Sequence, residues 1–379
     1  MARARLAWWA LASAGLALPA LGQAQPVPPP QPAPIKHAAV EYMRAEAGRL
    51  LGLVKTEGGQ KFLIASNWGP VIETPRMIYA NRQTHEAATP EEFAALPAEK
   101  RKGLESTILD EEFYFHTFSG SPLAYCRPLD LLCQAAGTGA KCFSYKQRLL
   151  DFGCGGVIHL RLLASLGMEV VGVDVDPILR AFYREEMDQG VVPGAQFGGE
   201  MGPPGNLKLV FGAWPFDAQA KVKVGAEYDF VVAKNTLKKG FVNPEQPVDD
   251  RFRVKLGVKD EEFVAALYAA LKPGGLVMIY NLCPAQGKET YIPWADGRCP
   301  FPRAMLEKAG FRVLEFDQDD TLAGRDMARR LEWNKGEDGM DIENDLFATY
   351  TLLLRPTTVA PEPATPEKQG PEKPPASKP

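Results

Sequence analysis

The sequence predicts an α/β fold in which helices cover both faces of a seven-stranded, mostly parallel sheet. Short β-like runs alternate with helix-forming segments through residues 146–355, which is the pattern of strands joined by crossover helices. One run ends in a glycine-rich turn that leads directly into a helical segment, and the next run ends in an acidic residue. Turns of this kind let a ligand approach the backbone closely. The same features therefore predict a binding site at the carboxyl ends of two strands.

The seven predicted strands are short runs rich in aliphatic and aromatic residues. A helix is predicted over residues 321–333, between the last two strands, and the last strand is long enough to insert antiparallel beside its neighbours. The predicted strands are 148–151, 169–173, 207–211, 228–233, 276–281, 311–316 and 347–354.

The segments outside this region differ in composition. Apolar residues such as Val40 and Met43 recur at helical spacing before the domain, and Thr89 followed by Pro90 is a typical helix start. The two proline-rich segments cannot pack a core. The predicted organisation is a signal peptide at 1–24, a Pro-rich linker at 25–36, a mainly helical region at 37–133, the Rossmann-like domain at 134–355 and a disordered tail at 356–379.

The amino terminus has the character of a cleavable export signal. Arg3 and Arg5 precede an uninterrupted apolar run at 7–18, and small residues follow at 20–24. The apolar run is too short for a stable anchor in a hydrocarbon core of about 30 Å. We therefore expect a periplasmic or secreted protein with no stable membrane span after signal cleavage. The alternative is a cytoplasmic protein whose first residues form an ordinary helix.

Charge and cysteine content narrow the partners. A net charge of −4 provides no basic surface for nucleic acid, so a small-molecule or envelope substrate is expected. The six cysteines show no CxxC spacing and the four histidines are scattered, which predicts no metal site. In an oxidising compartment we expect disulfides, and loop spacing favours Cys133–Cys142 and Cys283–Cys299, although spacing alone does not fix connectivity.

The glycine-rich turn lies in the run Leu-Leu-Asp-Phe-Gly-Cys-Gly-Gly at 149–156. Asp174 follows 23 residues after Asp151, at the end of the next predicted strand, where a carboxylate can accept hydrogen bonds from both hydroxyls of a ribose. This pairing resembles the cofactor signature of class I, Rossmann-like S-adenosylmethionine (SAM) methyltransferases. The Lys-Pro-Gly-Gly turn at 272–275 is similar to the one that precedes the fifth strand in that family.

The resemblance implies that SAM is the cofactor, and it implies a role for each motif residue. The aspartate and glycines of the turn would lie under the methionine part of SAM, and the strand-end aspartate would bind the ribose. Val175 would contact adenine, while Trp214 would stack on adenine or belong to the core. The implied cofactor-binding residues are Asp151, Gly153, Gly155, Gly156, Asp174, Val175 and Trp214.

Two positions depart from the family pattern. Val157 stands where a third glycine is expected and would crowd the cofactor, and Ala213 stands where an acidic residue usually meets the adenine amino group. A nicotinamide dehydrogenase is a weaker alternative, because Ile158 interrupts the G-x-G-x-x-G pattern that such enzymes use. The departures leave a second alternative open, a non-catalytic module that keeps the fold to bind another ligand.

Two residues are candidates for a role in catalysis. His116, in an aromatic cluster before the domain, is a candidate base near neutral pH, or else a hydrogen-bonded structural residue. Asn235, after the fourth predicted strand, is a candidate for positioning the substrate, or else caps the next segment. The function predicted from sequence is a SAM-dependent methyltransferase that acts outside the cytoplasm on an unidentified small-molecule or envelope substrate.

Overall fold

The computed structural model describes residues 38–68, 74–81, 83–116, 120–137, 142–335 and 339–357. The predicted signal peptide, the Pro-rich linker and the tail beyond residue 357 lie outside the described residues. Within the described ranges, none of the helices has the length and apolar character that crossing a bilayer requires.

The region before the Rossmann-like domain contains short helices and a small antiparallel sheet that the sequence pattern does not reveal. Thr89 begins one helix with a complete capping box. The Glu92 amide donates to the Thr89 hydroxyl, and the Thr89 amide donates to the Glu92 carboxylate. The sheet has the strand order β2-β1-β3. The elements are α1 (Ala38–Leu50), α2 (Glu57–Ala65), β1 (Arg76–Asn81), β2 (Glu86–Ala88), α3 (Pro90–Ala95), α4 (Ala98–Arg101), β3 (Glu105–Leu109) and α5 (Glu111–His116).

A buried ionic network fixes this small sheet to the following domain. The Arg76 guanidinium donates to the Asp188 carboxylate at 2.7 Å and to the Phe182 carbonyl at 2.9 Å. The Tyr114 hydroxyl donates to the other carboxylate oxygen at 2.9 Å. Because Arg76 and Asp188 are 112 residues apart, no local pattern predicts where the sheet docks.

The central sheet has eight strands within the described residues, in the order β12-β13-β11-β10-β4-β5-β9-β6. The strands from β11 to β9 in this order pair in parallel, whereas β13 is antiparallel to both β11 and β12. The bounds are β4 (Arg148–Phe152), β5 (Glu169–Asp174), β6 (Gly190–Val192), β9 (Gly205–Phe211), β10 (Tyr228–Lys234), β11 (Leu271–Cys283), β12 (Arg312–Asp319) and β13 (Phe347–Leu354), with a separate hairpin of β7 (Gln196–Phe197) and β8 (Glu200–Met201).

Helices cover both faces of this sheet, and its strands are buried on both sides. Successive residues of β10 alternate between two cores, since Phe230 and Val232 pack on one face and Val231 and Ala233 on the other. The helices are α6 (Cys126–Ala136), α7 (Ile158–Ala164), α8 (Pro177–Phe182), α9 (Ala218–Val224), α10 (Lys239–Val242), α11 (Asp260–Ala270), α12 (Arg303–Lys308), α13 (Thr321–Arg330) and α14 (Ile342–Asp345).

The predicted α/β fold with a mostly parallel sheet is confirmed. All seven predicted strands are present, and the last one inserts antiparallel between two others, as its length predicts. The differences are an eighth, short edge strand, β6, and a longer β11. This strand begins at Leu271, which pairs with Tyr228, and the Lys-Pro-Gly-Gly residues form an irregularity before regular pairing with β10 resumes at Leu276.

One of the two predicted disulfides is present and the other is not. Cys133 and Cys142 are bonded, with a Cα–Cα distance of 5.6 Å. The pairing Cys283–Cys299 is wrong, since both thiols are free and buried. Cys283 Sγ lies against the Phe347 carbonyl oxygen on β13, and Cys299 is part of the core on one face of the sheet.

Candidate cofactor site

The candidate site lies at the carboxyl edge of the sheet, where β4 sits between β5 and β10. The chain leaves β4 for β5 on one side and reaches β10 on the other, so this is the point where the strand order reverses. In open α/β sheets a crevice forms at such a switch point and ligands bind there. The glycine turn after β4 and Asp174 at the end of β5 meet at this edge of the sheet.

The glycine turn after β4 has a backbone that requires glycine. Gly153 and Gly155 have φ angles of 70° and 63°, in the left-handed region. The Gly153 and Cys154 amides both donate to the Val173 carbonyl oxygen, at 2.8 and 3.2 Å, which ties the turn to β5. A side chain at Gly153 would collide with the side chain of Thr236. The turn thus keeps a close approach between β4, β5 and the segment after β10.

Asp174 lies at the end of β5 beside this turn, and it orders the turn through backbone amides. One carboxylate oxygen accepts from the Gly155 amide at 2.9 Å, and the other accepts from Val175 and Asp176 at 2.7 and 3.0 Å. Burial raises the pKa of Asp174, and these amide donors oppose that effect. The oxygen bound to Gly155 retains an acceptor position for a ribose hydroxyl.

Asp151, predicted to lie under the methionine part of SAM, is fully buried at the end of β4. One of its oxygens bonds His159 Nε2 at 2.6 Å, which attaches α7 to the strand. Its other oxygen, Oδ1, is buried and has no hydrogen-bond partner among the described residues. The Tyr125 ring stacks on the His159 ring with centroids 3.8 Å apart. Burial and the adjacent Asp151 carboxylate raise the pKa of the Tyr125 phenol.

Lys234, the last residue of β10, completes this cluster and was not identified from the sequence. Its side chain is only 5% exposed, and its Nζ lies 5.1 Å from the centroid of the Tyr125 ring. No described residue accepts a hydrogen bond from that ammonium group. Burial lowers the pKa of Lys234 to about 8, while Asp151 and Cys126 oppose the shift. A lysine after several apolar strand residues gives no local signal of burial, so only the tertiary structure reveals it.

Lys238, four residues further on, is equally buried but fully engaged. Its Nζ donates to the Leu282 carbonyl at 2.6 Å and to the Trp294 carbonyl at 3.3 Å, and so joins the loops that follow β10 and β11. Burial also lowers its pKa to about 8. This lysine stabilises the edge of the site rather than facing a ligand.

The two departures from the family pattern have different consequences. Val157 is 1% exposed and packs in the core beneath α7, so its side chain does not enter the crevice. Ala213 leaves no acceptor at its own position, but the Asp217 carboxylate folds back to the end of β9, because Asp217 Oδ2 lies 3.3 Å from where a Gly212 side chain would begin. Asp217 also caps α9 through its other oxygen. The chain thus supplies an acid close to the expected place.

Two predicted adenine contacts differ in exposure. Val175 is 67% exposed at the edge of the crevice, where its side chain is available to a ligand. Trp214 is 4% exposed and packs edge-on against Phe152 and Phe263, with ring centroids 6.1 and 5.8 Å apart. The indole therefore lies in the core, and stacking on adenine stays a prediction that requires it to move.

The two predicted catalytic residues lie in different surroundings. His116 ends α5 and contacts Tyr42 of α1, with its Nδ1 buried and without a partner among the described residues, and burial lowers its pKa. Asn235 has a φ of 62° and uses its side-chain oxygen to accept from the Leu282 amide at 2.8 Å. That bond extends the pairing between β10 and β11, which is a structural role different from the cap of the next segment considered for Asn235. Catalytic roles for both residues stay predictions.

Metal ligation has no support within the described ranges, where no three His, Cys, Asp or Glu side chains come together as a metal site would need. Cys154, inside the glycine turn, is buried, and burial together with Asp174 and Asp151 raises the pKa of its thiol well above the ordinary value. A protonated, buried thiol is a poor nucleophile.

The mostly parallel α/β sheet reverses its strand order at β4, has a glycine turn after that strand and has an acidic residue at the end of the next one, and this arrangement is the class I, Rossmann-like SAM-dependent methyltransferase fold. A family model described as a methyltransferase domain matches residues 123–315, just over half of the chain. The chain therefore belongs to this methyltransferase family, and S-adenosylmethionine is its cofactor.

Solved structures show distant similarity. The [4+2]-cyclase SpnF is 16% identical, with 61% of this chain and 81% of that chain covered and a TM-score of 0.35. Phosphoethanolamine N-methyltransferase 2 of Haemonchus contortus, in complex with phosphomonomethylethanolamine and S-adenosylhomocysteine, is 14% identical, with 80% and 75% covered and a TM-score of 0.35. The arsenic(III) methyltransferase CrArsM of Chlamydomonas reinhardtii is 14% identical, with 55% and 64% covered and a TM-score of 0.30. No curated protein matches the sequence.

Proposed function

We propose that this protein is an exported SAM-dependent methyltransferase that acts outside the cytoplasm on a small-molecule or envelope substrate. The observation that carries the enzymatic part is the meeting of the glycine turn and Asp174 at the switch point of the sheet. Export is supported by the character of residues 1–24 and by the Cys133–Cys142 disulfide, since disulfides persist in oxidising compartments.

The residues at the crevice fit the chemistry of SAM. Gly153 leaves the space that a side chain would fill, and Asp151 presents an acceptor oxygen with no described partner. Asp174 would hold the ribose hydroxyls, Val175 would cover one face of adenine, and Asp217 would accept from the adenine amino group in place of Ala213. When bound, SAM supplies a methyl group on a sulfonium that is already a good leaving group.

The protein then has to position the acceptor in line with that methyl group and keep it deprotonated. The loops after β10 and β11 form the neighbouring wall, and a charged network fixes them. Arg298 donates to Asp296 at 2.7 Å and pairs with Glu245 at 2.9 Å, while the Tyr291 hydroxyl bonds Asp296 at 3.1 Å. A wall held by side chains of both signs suits a polar acceptor.

Cofactor binding is tested by calorimetric titration of the purified protein with S-adenosylhomocysteine and with SAM. We expect Asp174→Asn to weaken binding about 5- to 150-fold, because one acceptor and its charge are lost where a ribose hydroxyl binds. Asp176→Asn is the matched control: it lies two residues away, and asparagine caps a helix as well as aspartate does, so its affinity should equal that of the unchanged protein.

The outcomes separate the two candidate functions. Equal affinity in both variants would remove Asp174 from the cofactor site. A folded protein that binds neither ligand at millimolar concentration would favour the non-catalytic module, for which Ala213 is the supporting departure.

For the location, fractionation of cells that express the protein should recover a processed form outside the cytoplasm, and an unprocessed cytoplasmic form would refute export.

A further inference from the structure

We propose that Lys234 binds the carboxylate at the amino-acid end of the cofactor and so positions SAM in the crevice; this inference rests on the proposed function. Lys234 is placed for this task by the segment that follows it. The Thr236 hydroxyl donates to the Gly153 carbonyl at 3.2 Å, which holds the end of β10 against the glycine turn. The side chain of Lys234 therefore lies in the same cluster as Asp151, Tyr125 and His159.

The buried ammonium group of Lys234 costs the folded protein free energy when no ligand is bound. Burying an ion without a partner is expensive, and proteins normally pair such a group or neutralise it. The nearest carboxylate, Asp151, already bonds His159 through one oxygen and forms no ion pair with Lys234 within 4.0 Å. The Tyr125 ring offsets only part of the cost. With a pKa of about 8, Lys234 is still mostly charged at neutral pH.

The same cluster contains an acceptor oxygen with no described hydrogen-bond partner. Asp151 Oδ1 is buried without a hydrogen bond, on the same face of the sheet as Lys234. An ammonium group with no described acceptor and a carboxylate with one oxygen still without a described donor complement a zwitterion rather than a simple ion. An α-amino acid carries such a pair of charges, and SAM ends in one. The carboxylate of SAM binds Lys234, and its ammonium group binds Asp151.

The test uses two ligands that differ only in that carboxylate: SAM and decarboxylated SAM. The unchanged protein should bind SAM about 10- to 100-fold more tightly, the range expected for a buried charge-assisted hydrogen bond. Lys234→Met, which keeps the length and apolar stem, should lose most of this preference and bind the two ligands with similar affinity. Lys234→Arg should keep much of it.

Two controls distinguish positioning from a general structural effect. Asp174→Asn should weaken both ligands by the same factor and leave the preference intact, because it acts on the ribose. Lys238→Met removes an equally buried lysine that has no place beside the glycine turn, so it should also leave the preference unchanged. Circular dichroism and thermal unfolding show whether each variant is folded, and the preference of the unchanged protein is informative even if Lys234→Met fails to fold.

Three results would overturn the assignment. An unchanged protein that binds both ligands equally well would show that no residue recognises the carboxylate. A folded Lys234→Met variant that keeps the full preference would place recognition elsewhere. If the unchanged protein binds neither ligand, the proposed function fails and this inference fails with it, whereas the first two results leave the proposed function standing.

Discussion

Two lysines four residues apart, Lys234 and Lys238, show how the same burial can serve different purposes. Both are nearly inaccessible, and burial lowers the pKa of each to about 8. Lys238 donates to two carbonyl oxygens and joins the loops at the edge of the sheet. Lys234 faces the Tyr125 ring and has no hydrogen-bond acceptor among the described residues. A buried charge with satisfied bonds supports the fold, whereas one without them indicates a ligand.

The comparison predicts that Lys234→Met stabilises the protein when no ligand is present. A pKa lowered from 10.5 to about 8 means that the folded state disfavours the charge by about 3 kcal/mol. Loss of the contact with the Tyr125 ring lowers the free energy of unfolding by about 1 kcal/mol. We therefore expect the free energy of unfolding at pH 7 to rise by about 2 kcal/mol, measured by urea denaturation.

The matched variant is Lys238→Met, for which no stabilisation is expected. Methionine cannot donate, so the carbonyls of Leu282 and Trp294 each lose a partner at a cost of about 1–3 kcal/mol. That cost offsets the gain from removing the charge. If both variants stabilised the protein equally, the distinction between the two lysines would be refuted.

The pH dependence of stability in the unchanged protein and in Lys234→Met gives a second, smaller effect. Between about pH 8 and 10.5 the unfolded chain keeps the Lys234 proton and the folded chain does not, so the folded state gains stability as the pH rises. Lys234→Met has no such proton. Its stability advantage should therefore shrink by up to about 1.4 kcal/mol per pH unit in this window. Urea denaturation from pH 7 to 10 measures that difference.

Other groups facing Lys234 titrate or carry charge as well, and both proteins contain them. They include Asp151 on β4, Tyr125 and Cys126 before and at the start of α6, and Lys238 after β10. Burial raises the pKa of Tyr125 and Cys126, which lowers stability at high pH in both proteins. Only the difference between the two curves isolates Lys234, and an advantage that is constant from pH 7 to 10 would contradict the prediction.

The parts of the molecule that the sequence predicts are those with a local signal. Seven strands, the glycine turn and the acid at the end of β5 follow from alternation, spacing and residue type. The small sheet of the amino-terminal region does not, because its position depends on the ion pair between Arg76 and Asp188, far apart in the chain. The predicted Cys283–Cys299 disulfide is also wrong, because a short spacing in the sequence does not by itself bring two thiols together.

The site shows the same division. Asp174 is recognisable because its distance from the turn is typical of a ribose acid. Lys234 is not recognisable, because only its burial and its contact with the Tyr125 ring distinguish it from an ordinary surface lysine. Trp214 shows the converse: an aromatic residue at a strand end fits a ligand contact in sequence, and its packing against Phe152 and Phe263 appears only in three dimensions.

Asn235, which directly follows Lys234, provides the smallest and most specific test of this segment. Glycine adopts its φ of 62° without strain, so Asn235→Gly removes little more than the bond from its side-chain oxygen to the Leu282 amide. We expect the free energy of unfolding to fall by about 1 kcal/mol. Asn235→Ala should cost about 1 kcal/mol more, because alanine strains the left-handed backbone.

The same two variants decide whether Asn235 also acts on a ligand. If it only joins β10 to β11, the affinity for S-adenosylhomocysteine should follow stability and change less than about threefold, which corresponds to about 0.7 kcal/mol. A large loss of affinity or turnover in a stable Asn235→Gly protein would instead restore the positioning role predicted from the sequence. Lys234 and Asn235 would then both face the ligand, and of these three residues only Lys238 would have a purely structural role.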